Sequence, residues 1–145
     1  MNLFKLSAVL FLGFIIYKGV TSYFYMQFGI AQASKIPEML EGTAQDWNVA
    51  SLSEYMDAYG LDGKKDEYQA MLTQASHIGQ FQACEEFTIE DYKPSKYSEN
   101  TLKEGVEISG ECRFKTDKAY VSVIFADLFG KVRMMDFKIK PRYSI

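Results

Sequence analysis

From Leu6 to Tyr17 the chain reads LSAVLFLGFIIY without a charge, and after Lys18 the run GVTSYFYMQFGIA is again uncharged as far as Ala33. A helix from Leu6 to about Ile30 would contain about 25 residues, enough to cross a hydrocarbon layer of ~30 Å. Almost no polar face exists for such a helix to turn toward water, so a buried helix of a soluble core does not fit. Residues 1–33 are therefore expected to form a membrane anchor or signal segment, marked by Leu6, Phe14, Lys18 and Tyr25, and residues 34–145 an extracytoplasmic domain. Lys18 would lie near mid-depth, where a charge costs about 2.5–3.5 kcal/mol on insertion scales. It would have to snorkel or face a partner helix.

A second reading makes Leu6 to Tyr17 the apolar region of a signal peptide, cleaved after Ala31-Gln32-Ala33. The aromatic residues Tyr17, Tyr23, Phe24, Tyr25 and Phe28 suit an interfacial belt better than a cleavage region, which favours an uncleaved single-pass anchor. Lys5 on one side, against Glu38, Glu41 and Asp46 on the other, places the N-terminus in the cytoplasm and the domain outside, as in a bacterial-type inner membrane. Cleavage near Ala33 would instead give a secreted or periplasmic protein.

Beyond residue 33 the chain holds 14 basic and 19 acidic residues, a net charge of −5. That balance, without a concentrated basic stripe, argues against nucleic acid as a partner. Lys131, Arg133, Lys138, Lys140 and Arg142 crowd the C-terminal end, and Glu85, Glu86, Glu90 and Asp91 sit together earlier. Both groups read first as solvated strand faces.

Helical spacing comes first. Residues 34–41 form a short helix with Pro37 in its first turn. Ser51 and Glu54 have the spacing of a capping box, and Leu52, Tyr55, Met56 and Tyr59 make one helical stripe ending at Gly60. A third helix runs from about Lys64 to His77, with Tyr68, Met71, Leu72 and Ala75 on one face. After Gly79 the period becomes two: residues 80–92, Val106 to Phe114, Ala119 to Phe125, and Met135 to Ile139. A two-residue turn at Thr116-Asp117 pairs Phe114 with Ala119, Cys112 with Val121 and Ile108 with Phe125. A turn around Gly130 pairs Phe125 with Met135, Val123 with Phe137 and Val121 with Ile139. Every apolar partner then shares one face. The expected fold is α+β: an N-terminal transmembrane helix, then short helices packed on a four-stranded antiparallel meander sheet.

Cys84 and Cys112 are the only cysteines, and an even count in an exported domain points to a disulfide. Simple alternation puts Cys84 on the polar face and Cys112 on the apolar one, so pairing them requires a bulge at Glu85-Glu86 or Gly110.

Catalytic signatures are missing. His77, the sole histidine, ends a predicted helix with no ligating neighbour, which fits a helix-end role rather than a metal. No G-x-S-x-G surrounds a serine and no glycine-rich phosphate loop is present. Glu85, Glu86, Glu90 and Asp91 have two readings, a loose cation site or acid/base pair of a small carboxylate enzyme and, more ordinarily, a solvated edge. No cofactor, metal or catalytic residue is expected. Trp47, Tyr55 and Tyr59 could bound a pocket against the sheet, and Tyr120, Ile124 and Met134 interrupt its polar face as a possible partner patch.

Element order, Asp46-Trp47 and the closing hairpin GKVRMMDFKIK resemble the NTF2-like/cystatin-like group over about Ala44 to Pro141. The resemblance implies a curved sheet with a pocket beneath helices, a fold used by enzymes, ligand binders and assembly subunits alike. The pattern of an apolar helix before an antiparallel sheet is also similar to pilins, but Lys18 stands where those proteins carry Glu after a processing site at Gly13-Phe14. The functional expectation is a non-enzymatic, membrane-anchored module that binds another protein through Lys18 or the sheet surface, or assembles an envelope complex. The alternative is an exported domain binding a small ligand between helices and sheet.

Overall fold

A computed structural model describes residues 29–92, 105–128 and 131–142; the expected anchor, with Leu6, Phe14, Lys18 and Tyr25, lies outside the described residues. Among the described residues no helix is long and apolar enough to cross a membrane. Residues 29–33 are helical and run into α1 (Lys35–Thr43). Three further helices follow: α2 (Val49–Leu52), α3 (Ala58–Leu61) and α4 (Lys65–Ala75), which ends in a 3-10 turn, Ser76–Ile78. The strands are β1 (Phe81–Cys84), β2 (Thr88–Tyr92), β3 (Gly105–Phe114), β4 (Lys118–Leu128) and β5 (Lys131–Pro141).

The protein is α+β, with short helices and an antiparallel sheet. Strand order is β1-β3-β4-β5, with β2 also pairing β3. The expected first strand of 80–92 is thus two short strands in series along one edge of β3, and the sheet has five strands rather than four. Gly110 accounts for the break. A Cβ there would stand 2.9 Å from the Phe87 ring. Its absence lets Phe87 pack against the core from the segment between β1 and β2.

The helical stripe expected across Leu52 to Tyr59 is also interrupted. Asn48 caps α2 by accepting from Ala50 N–H, and Asp57 caps α3 by accepting from Tyr59 N–H. Between them Met56 makes a parallel bridge to Met134, and Asp57 N–H donates to the Met134 carbonyl at 2.9 Å. Ser51 does not close a capping box; its hydroxyl donates to the Asp46 carboxylate. Sheet pairing won over helix continuation here because the edge of β5 offers an otherwise unmatched carbonyl.

Both hairpin registers differ from the expected ones, for separate reasons. Cys112 pairs with Ala119, Ile108 with Val123 and Val106 with Phe125. The shift of two residues arises because Lys115 N–H and Thr116 N–H donate to the Gln80 and Ile78 carbonyls, while Phe114 N–H bonds Asp117. An even shift leaves every side chain on its expected face. In the last hairpin Val121 pairs Ile139 and Val123 pairs Phe137 as expected, but Phe125 pairs Met134, with a bulge beside Ile124 that leaves Met135 extra.

One sheet face carries the core. Ile36, Met39 and Leu40 of α1, Leu52, Leu72 and Ile78 pack on Val106, Ile108, Phe114, Val121, Val123 and Phe137, all essentially without solvent exposure. Phe114 stands at its centre, its ring 5.7 Å from both Trp47 and Phe81.

Candidate functional site

The cysteine pair comes together because β1 has its own irregularity. Register slips by one residue between Phe81 and Ala83, so Cys84 turns onto the face shared by Phe81 and lies opposite Cys112. The slip lies upstream of both positions considered from the sequence, Glu85-Glu86 and Gly110. The two sulfurs form a disulfide, 2.08 Å apart, across 28 residues of chain. Cys112 is fully buried and Cys84 half-buried. Two polar contacts brace the same edge: Lys118 Nζ lies 3.1 Å from Glu85, and Arg113 Nε donates to Gln82.

The six residues anticipated as pocket or patch separate. Trp47 is buried in the core against Phe114. Its backbone has a positive φ of 52°, unusual for a bulky residue. Gln69 secures that turn from both sides, donating to the Trp47 carbonyl and accepting from Val49 N–H. Tyr55 is half-buried near Gly42, while Tyr59 is 50% exposed on α3. Met134 faces the core because of the β5 bulge, and Ile124 on the opposite face is buried too. Tyr120, 53% exposed, is left projecting near the start of β4, on the face opposite the core.

Two surfaces therefore stand out. One is an open groove of about 470 Å³ between α1, residues Tyr55–Asp57 and the start of β5, with Lys35, Glu38, Lys131 and Val132 on its walls. At its floor the Asp57 carboxylate, almost fully buried, forms an ion pair with Arg133. Sequence spacing gave no hint of this pair, since 76 residues separate the partners.

The other surface is the outer sheet face around Tyr120. Register places Glu111, Tyr120 and Lys140 in one cross-strand row. Glu107 lies in the same half as Glu111 and accepts from the buried Ser122 hydroxyl at 2.7 Å. On the far edge Asp136 accepts from the Tyr68 hydroxyl and from Phe137 N–H, so the buried Tyr68 ties α4 to β5.

Among the described residues no cluster of three or more His, Cys, Asp or Glu side chains could hold a metal ion. His77 Nδ1 pairs with the Gln74 carbonyl, a local helix-end contact. Comparison with known proteins finds no matching family model, no matching characterised sequence and no matching solved structure.

Proposed function

We propose that the chain is a membrane-anchored, extracytoplasmic module that binds a protein partner through the outer face of its sheet and catalyses no reaction. The observation that carries this reading is Tyr120: a large aromatic, half-exposed, near the start of β4 on the sheet face opposite the core, in one row with Glu111 and Lys140. Aromatic side chains framed by polar groups are the usual anchors of protein interfaces. Two further features support it. The disulfide suits an oxidising compartment outside the cytoplasm. Residues 29–33 are continuous with α1, whose Ile36, Met39 and Leu40 enter the core, so a preceding anchor would be joined to the domain at its centre. Lys18 gives the anchor its own polar handle for a partner in the bilayer. The resemblance to the NTF2-like/cystatin-like group belongs to the same proposal, as a likeness of element order.

Photo-crosslinking of the full-length chain in intact cells tests it. Protein adducts are expected from a probe at the outer face, and Tyr120→Glu should remove them. A chain found in the membrane fraction, whose thiols label only after reduction, is the matching result for location. A chain that yields no protein adduct from this face, or one that begins at Ser34 and is soluble, would overturn the reading.

The groove favours a second reading, an exported domain that binds a small ligand. Tyr55 and Val132 supply apolar wall, and the Asp57–Arg133 pair supplies polar groups at the floor. Ligand-induced stabilisation lost on Tyr55→Ala would support it; a melting temperature indifferent to every ligand class tried would remove it.

A further inference from the structure

The direction of the first helix decides which end of the domain faces its expected anchor. Gly29 lies against the Ile89 side chain of β2, with no room for a Cβ. Further along, α1 packs beside β1, and Trp47 just beyond it meets Phe114. β2 pairs with the first half of β3, and β1 with its last residues. Residues 29–43 therefore run along β3 from its start toward its end. The N-terminal end of this helix points to the end of the sheet where β3 begins, which is also where β4 turns into β5.

That end exposes two large apolar side chains, Ile30 on the helix and Val132 at the start of β5. Lys35 and Lys131 line one groove there, and neither is in an ion pair with another described residue. Acids are near as well: Glu38 follows Lys35 by one turn in the same groove, and Asp127 stands opposite Val132 in register. The end is amphipathic rather than basic. Such a surface fits the headgroup layer of a bilayer, which extends roughly 5–8 Å beyond the hydrocarbon on each side. Apolar side chains enter its acyl boundary while lysines snorkel to phosphate. A helix rises about 1.5 Å per residue, so Lys35 stands about 3 Å past Ala33, where the expected anchor ends, and within that layer. We propose that this end of the domain rests on the membrane, with Ile30 and Val132 at the acyl boundary and Lys35 and Lys131 on phospholipid phosphates. The bilayer is the one that holds the chain's own anchor, so the inference rests on the anchored reading above. Tyr120, near the other end of β4, then points away from it.

The test uses the full-length oxidised chain in vesicles of phosphatidylcholine brominated on its acyl chains. With the emission of the parent's Trp47 subtracted, an indole introduced by Val132→Trp should be quenched and one introduced by Tyr120→Trp should not. Lys35→Glu with Lys131→Glu should lose most of the quenching at position 132, and the corresponding Gln pair less. Should Val132→Trp fail to fold, a photo-crosslinker at position 131 gives the same readout as adducts to lipid. Millimolar inorganic phosphate should leave the quenching unchanged; displacement by it would mark the lysines as a site for a free anion and overturn the inference. A chain that floats with the vesicles but shows no quenching at position 132, or equal quenching at 132 and 120, overturns it too and leaves the anchor standing. A chain that does not float with the vesicles removes the anchored reading, and the inference with it.

Discussion

At the β5 edge of the sheet, Met135 is an extra residue, and non-covalent contacts hold the bulge. Gly60 of α3 lies so close that a Cβ there would come within 2.3 Å of the Met135 carbonyl oxygen. Met56 bridges to Met134 beside it, and Asp57 reaches Arg133. At the opposite edge, β1 also slips by one residue, but a disulfide fixes that irregularity and only surface polar contacts assist. Each edge of a sheet exposes unpaired backbone that invites misassociation. Here one edge is sealed by packed helices and the other is cut into two short strands and stapled. The packed edge should fail through side-chain volume and the stapled edge through chain entropy.

Removing the staple should have the largest effect. Cys84→Ala with Cys112→Ala frees a span of 28 residues and is expected to cost about 3 kcal/mol, read as a lower urea midpoint. Equal midpoints for the double variant and the parent would mean that β1 needs no covalent help. Next comes Gly60→Ala, which forces the backbone of α3 and β5 apart and should cost about 2–3 kcal/mol. Gly110→Ala meets the edge of the Phe87 ring, which can swing, so it should cost less. If the two glycine variants melted alike, the contrast between backbone and side-chain contact would be wrong.

Asp57→Ala removes both the cap of α3 and the partner of Arg133, and about 1–2 kcal/mol is expected. Arg133 is partly exposed, so solvent screens part of the ion-pair share. Its loss should appear in hydrogen exchange as earlier opening of residues 56–60 than of β3. Lys118→Ala should fall within about 0.5 kcal/mol of the parent, because both partners of its ion pair are exposed. A larger change would show that the stapled edge depends on charge after all.

Much of this sheet was legible from alternation alone. Val106, Ile108, Cys112 and Phe114 share the core face with Val121, Val123 and Phe137, as the period of two requires. The registers were less so. The β3–β4 connection is set by bonds from Lys115 and Thr116 to the Ile78–Gln80 segment, distant in sequence and invisible to a rule that counts turn residues. The β5 bulge did leave a trace: Met134 and Met135 are two consecutive apolar residues in an alternating strand, and both are buried. Period alone could not say which of them was the extra one. The stripe from Leu52 to Tyr59 misled because Asp57, a strong cap, sits inside it and starts a new helix. At the outer face, Tyr120 was readable as an interruption of a polar strand, whereas Met134 left that face only through the bulge.

Trp47 is the sole tryptophan, set in the core against Phe114 with its carbonyl held by Gln69. Its indole is therefore an intrinsic optical gauge of whether the helical layer is seated on the sheet. An emission red-shift that precedes loss of the β-sheet circular dichroism signal would mean that the layer peels away first, as a separate cooperative unit. Coincident transitions would mean that the helices and sheet unfold as one.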